Sequence, residues 1–109
     1  MKYAIKFVAD MPAAVAFYRD SLGLTVRFTT PEWSEFDTGE VTLALHPASA
    51  ANPAGSSQLG FATENLAQVY AERAVNGLAF AEAPRLEHGT LLSQILDSEN
   101  AKVSLSGKP

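Results

Sequence analysis

The chain has 109 residues, 47% hydrophobic and 18% charged, which suits one globular core and leaves too little chain for two independent ones. A net charge of −4 with eight scattered Lys and Arg argues against a nucleic-acid partner, whose phosphates need clustered positive charge. The lack of cysteine excludes a disulfide framework and a cysteine nucleophile, and no apolar run suits a signal peptide or the ~20 residues of a membrane span, so a soluble cytoplasmic protein is expected.

Lys2 to Ala9 reads as a first strand with Tyr3, Ile5 and Phe7 on one face. Asp10 to Leu24 follows as an amphipathic helix: Asp10 caps it, Pro12 is tolerated in its first turn, and Gly23 ends it. Its apolar stripe is expected to be Met11, Val15, Tyr18 and Leu22, widened by Ala14 and Phe17. Leu24 to Thr30 is a second strand, stopped by Pro31 because proline cannot donate to a sheet ladder. Glu32 to Asp37 is a third, with Trp33 and Glu35 on one side and Ser34 and Phe36 on the other. In the fourth, Val41 to His46, an apolar face of Val41, Leu43 and Leu45 is backed by Thr42, Ala44 and His46.

Residues 48–56 lack periodicity and read as a connector. Ser57 to Ala62 is a strand with Leu59 and Phe61 on one face and Gln58 and Gly60 on the other. Asn65 caps a second helix with a stripe of Leu66, Val69, Tyr70 and Arg73, ended by Asn76-Gly77. Strands at Leu78 to Arg85, Gly89 to Leu96 and Lys102 to Ser106 complete the chain, with His88 in a turn and another turn at Asp97 to Asn100. Each half thus reads as strand, capped helix, glycine, and three strands: a repeated βαβββ unit spanning roughly 1–47 and 57–109 of a single domain, 1–109.

With Val8-Ala9-Asp10, Phe17-Tyr18-Arg19-Asp20-Ser21-Leu22-Gly23-Leu24, Trp33-Ser34-Glu35-Phe36-Asp37-Thr38-Gly39 and Leu43-Ala44-Leu45, the sequence resembles the vicinal oxygen chelate superfamily. That superfamily includes glyoxalase I, bleomycin-resistance proteins, fosfomycin-resistance enzymes and extradiol dioxygenases. The resemblance covers essentially the whole chain and implies an α+β fold: two βαβββ modules form curled mixed sheets around a cup, helices lie outside, and two subunits pair as a homodimer. Metal-dependent members carry His, Gln or Glu at four cup positions, which fall here on Tyr3, Ala44, Gln58 and Ser104. Only Gln58 is a credible neutral ligand, and Ala44 has no ligand atom. His46, two residues beyond Ala44, lies about 7 Å along the strand from that position. No metal or other cofactor is therefore expected.

Other chemistry is sparse. No G-x-S-x-G elbow marks a hydrolase, and Gly55 and Gly60 do not form a phosphate loop. Glu35 beside Trp33 has the chemistry of a general base, but one carboxylate is not a mechanism and a solvated or ion-paired carboxylate is the commoner case, so no catalytic residue is assigned. Tyr3, Phe7, Trp33, Glu35, His46, Gln58 and Ser104 are expected to line the cup as ligand-binding residues, with Ile5 either among them or part of a core. The reading favours a metal-free protein of the bleomycin-resistance type that sequesters an aromatic or cationic compound, such as an antibiotic. The alternative is a divergent glyoxalase-type lyase, isomerase or transferase using a weakly held divalent ion with Gln58, His46 and Glu35.

Overall fold

In the computed structural model, which describes residues 2–109, the elements run β1 (Tyr3–Val8), α1 (Met11–Ala16), a π-helical turn (Phe17–Ser21), β2 (Thr25–Phe28), β3 (Ser34–Asp37), β4 (Thr42–Pro47), β5 (Ser57–Thr63), α2 (Leu66–Ala71), β6 (Ala79–Glu87), β7 (Thr90–Leu96) and β8 (Lys102–Gly107). The chain divides into two compact units, one through Leu59 and the other Gly60–Pro109. Both follow one plan, the mixed α+β βαβββ module: strand, helix, then three antiparallel strands, the last of which returns parallel to the first.

In the first unit the strand order is β2-β3-β4-β1. Alternation sorts its side chains. Phe36 and Leu45 turn toward α1 and pack with Val15, Met11 and Tyr18, whereas Ile5, Phe7 and Ala44 form a separate cluster joined by Tyr3 and Trp33. Asp10 Oδ1 accepts from the Ala13 amide at 3.1 Å, which fixes the start of α1.

The single α-helix expected over Asp10 to Leu24 is corrected: α geometry stops at Ala16, and the chain continues as a π turn in which the Leu22 amide donates to the Phe17 carbonyl at 3.1 Å. A π turn takes up an extra residue, so positions beyond it rotate off the predicted stripe. Phe17 and Leu22 accordingly face outward, Leu22 at 57% exposure. Gly23, at φ +74, then lets the Leu24 amide reach back to the Tyr18 carbonyl at 2.9 Å.

Although aperiodic, residues 48–56 are tied to β1. Ala48 donates to the Val8 carbonyl at 2.8 Å, Phe7 to the Ser56 carbonyl at 2.9 Å, and Gly55 to the Phe7 carbonyl at 2.9 Å.

In the second unit the order is β5-β8-β7-β6. Asn65 Oδ1 accepts from the Gln68 amide at 3.1 Å and caps α2 as expected. The helix is shorter than predicted, ending at Ala71 rather than at Asn76-Gly77, and residues 72–77 form turns. Beyond Tyr70 the sequence offers little apolar face to hold another turn, and Val75 is 88% exposed. Arg73, expected on the stripe, instead lays its guanidinium 4.1 Å from the centroid of the Tyr70 ring. In β5 the faces alternate as predicted; Gln58 and Gly60 are the buried pair, and Leu59 and Phe61 are exposed. His88 (φ 52) and Gly89 (φ 79) make the two-residue loop between β6 and β7, where both positions need a left-handed backbone.

Candidate functional site

The face of the first unit's sheet that bears Ile5, Phe7 and Ala44 gathers the aromatic and charged side chains. Register explains why. Tyr3 pairs with Thr42 and Thr42 with Asp37; Ile5 pairs with Ala44 and Ala44 with Glu35; Phe7 pairs with His46. Directly paired residues share a face, so each row presents its side chains together. The result is a chain of edge-to-face rings: Tyr3 to Trp33 at 5.7 Å, Trp33 to His46 at 6.1 Å and His46 to Phe7 at 5.5 Å between centroids. Ile5 and Phe7 are buried, Tyr3 and Trp33 half-buried, and His46 exposed.

Trp33 is held at both ends. Its amide donates to Thr30 Oγ1 at 2.9 Å and its carbonyl accepts from the Thr30 amide at 3.1 Å, while the indole Nε1 donates to Glu35 Oε2 at 2.7 Å. Glu35 is 9% exposed and gives its other oxygen, Oε1, to Arg27 Nη1 at 3.2 Å. The same Nη1 donates to Thr42 Oγ1 at 2.8 Å, and Nη2 lies 3.8 Å from Asp37 Oδ1. Glu35 is therefore an ion-paired, hydrogen-bonded strut with both of its oxygens engaged. His46 Nδ1 sits 2.8 Å from the Pro47 carbonyl oxygen.

Arg27 was not among the residues singled out from the sequence. It reaches Glu35 through a β-bulge: Val26 pairs with Phe36 and Phe28 with Glu35, so Arg27 is an extra residue in β2 against a single step of β3. The visible signal was an arginine interrupting Val26 and Phe28, one strand away from a carboxylate on the polar face.

Of the remaining predicted residues, Gln58 is buried on β5, and Ser104 lies half-buried in the second unit, in register with Gly60 and Gln94. The amide oxygen of Gln94 is buried and accepts no hydrogen bond from the described residues, another polar group the sequence did not mark.

The donor set does not fit the divalent ion of metal-dependent relatives. Ala44 occupies one of the four positions with 0% exposure and no ligand atom, and no group of three or more His, Cys, Asp and Glu converges among the described residues. A separate open groove of about 420 Å³ includes Met11, Val15, Arg19, Thr30 and Pro31 in its lining. Its one guanidinium is already engaged by Asp20 at 2.8 and 3.0 Å, a pairing that holds the Asp20 carboxyl below the usual carboxylate range. The convergent polar groups belong to the aromatic face.

Among solved structures, a protein from Legionella pneumophila described as an NAD-dependent benzaldehyde dehydrogenase superposes with a TM-score of 0.79 at 12% identity, over 98% of each chain. A hypothetical protein from Bacillus halodurans C-125 gives 0.79 at 12% identity over 100% of this chain and 94% of its own. A glyoxalase/bleomycin resistance protein/dioxygenase superfamily member from Vibrio splendidus 12B01 gives 0.70 at 12% identity over 97% of each. At such identities the likeness is one of fold. No curated protein matches significantly. The family model, described as "Glyoxalase/Bleomycin resistance protein/Dioxygenase superfamily", matches residues 1–101. With the βαβββ unit found twice, this chain belongs to the glyoxalase/bleomycin resistance protein/dioxygenase superfamily.

Proposed function

We propose that the chain is a metal-free small-molecule binding protein that sequesters a flat aromatic compound on the face of Tyr3, Trp33 and His46; a planar antibiotic falls within that class. The observation that carries this reading is the anchoring of Trp33 through Thr30 and Glu35. A ring locked before the ligand arrives loses little side-chain entropy on binding, one of the costs that set affinity. Ala44, in place of a metal ligand, leaves adsorption rather than coordination as the chemistry of the site. Gln58, buried on β5, belongs to the same proposal as a hydrogen-bonding contact.

Trp33 is the sole tryptophan, so tryptophan emission reports on this face alone. Titration with planar aromatic compounds is expected to quench or shift that emission saturably, and Trp33→Ala, followed by calorimetry because it lacks the reporter, is expected to bind about tenfold or more weakly. A panel of such compounds that produces no saturable change would remove the support for this reading.

A homodimer is proposed with it. Within their units β2 and β6 are edge strands, and they carry the exposed Phe28 and Leu86, the kind of surface that pairing covers. Sedimentation at micromolar concentration is expected to give twice the 11.6 kDa chain mass; a stable monomer contradicts the pairing.

A further inference from the structure

We infer that the aromatic face selects neutral planar compounds that carry an N–H or O–H donor on the ring edge, and that it discriminates against cations; this rests on the binding role proposed above. The two carboxylates at the site share one guanidinium. Glu35 gives one oxygen to the Trp33 indole at 2.7 Å and the other to Arg27 at 3.2 Å, and Asp37, half-exposed, lies 3.8 Å from the same guanidinium. A cationic ligand would have to displace Arg27 or share its carboxylate with it. The π face of Tyr3 offers no better berth, because the Lys2 ammonium stands 5.4 Å from its centroid and a second cation there would meet like charge. A positive ligand therefore finds no carboxylate free of Arg27 on this face, and only the Trp33 ring as an uncompensated partner.

His46 supplies the complementary preference. Its Nδ1 lies 2.8 Å from the Pro47 carbonyl oxygen, and a carbonyl can only accept, so Nδ1 carries the proton. In the neutral ring Nε2 then holds the lone pair, and among the described residues no protein group donates to it. A ring stacked beside Trp33 and His46 covers that nitrogen and removes its water. A ligand without a donor leaves the acceptor unmet, whereas a phenol or an N–H heterocycle satisfies it, a difference worth about tenfold in affinity.

The test is calorimetric titration of the full chain at about pH 8, below the range in which a phenol ionises, with three naphthalene-sized probes. 2-Naphthol is neutral and carries an O–H; 2-methoxynaphthalene lacks the donor; 1-methylquinolinium is a permanent cation. The naphthol is expected to bind about tenfold more tightly than either of the others. In His46→Phe, which can keep the ring contacts with Phe7 and Trp33, the naphthol advantage over its methyl ether is expected to fall within about twofold, with the ether's own affinity retained. The cation binding as tightly as the naphthol in the wild-type chain would overturn the inference whether or not the variant folds, and so would a naphthol preference that survives in a folded His46→Phe. Saturable binding of all three without preference sinks this inference alone; saturable binding of none sinks the binding reading beneath it.

Discussion

Phe36→Ala is expected to remove about 3–5 kcal/mol of folding stability, the range for deleting a fully buried aromatic ring. Phe36 is 0% exposed and belongs to the cluster of Val15 and Leu45 that fastens α1 to the first unit's sheet, with the Tyr18 ring 5.9 Å away between centroids. The ring leaves a cavity that β3, paired on both sides by β2 and β4, cannot collapse to fill. A loss of this size is a third or more of the stability of many domains and should lower the melting temperature by more than ~10 °C. Phe36→Leu, which keeps most of the volume, should recover most of the loss. A melting temperature within ~3 °C of wild type for the alanine variant would show that this cluster does not hold the unit together.

In the second unit the largest single effect is expected from the smallest addition. A Cβ at Gly107 would stand 2.8 Å from Leu66 Cβ and 3.0 Å from the Thr63 carbonyl oxygen. Neither neighbour is the free end of a flexible side chain, since Leu66 Cβ moves only with the first turn of α2 and the Thr63 oxygen only with the end of β5. Gly107→Ala must therefore push α2 off β8, at a cost of about 1–3 kcal/mol, read as a lower urea midpoint at unchanged slope. Gly55→Ala is the informative contrast. There a Cβ meets nothing within 4 Å, and any loss comes from the positive φ of 88 alone. Equal losses at the two positions would argue that close packing at Gly107 is not what requires a glycine.

The repeat and much of the candidate site were legible before any coordinates. Period-two alternation put Trp33 with Glu35 on one side of Glu32 to Asp37 and Ala44 with His46 on one side of Val41 to His46, and strand register brings the two pairs onto a single face. The two helix caps and the His88-Gly89 turn were equally readable, because a capping carboxamide or carboxylate and a two-residue turn act over three or four positions of chain. The failures share a cause. The π turn at Phe17–Ser21 and the early end of α2 depend on what the helix packs against, which a helical period extrapolated from sequence does not contain. On β5 alternation alone did not say which side is buried; the structure buries the side carrying Gln58 and Gly60, because burial follows the neighbours a face meets.

Local chemistry in the chain thus determined the order of the elements, where they begin, and which residues share a face, since each of these is decided within a few residues of itself. Only the tertiary structure decided what the shared face contains: that a bulge aims Arg27 at Glu35, that Glu35 spends both oxygens on Arg27 and Trp33, and that His46 anchors its Nδ1 on the Pro47 carbonyl. Which atoms meet across a sheet is set by strand register and by the irregularities that shift it, and those arise from pairing between segments that no single stretch of sequence records.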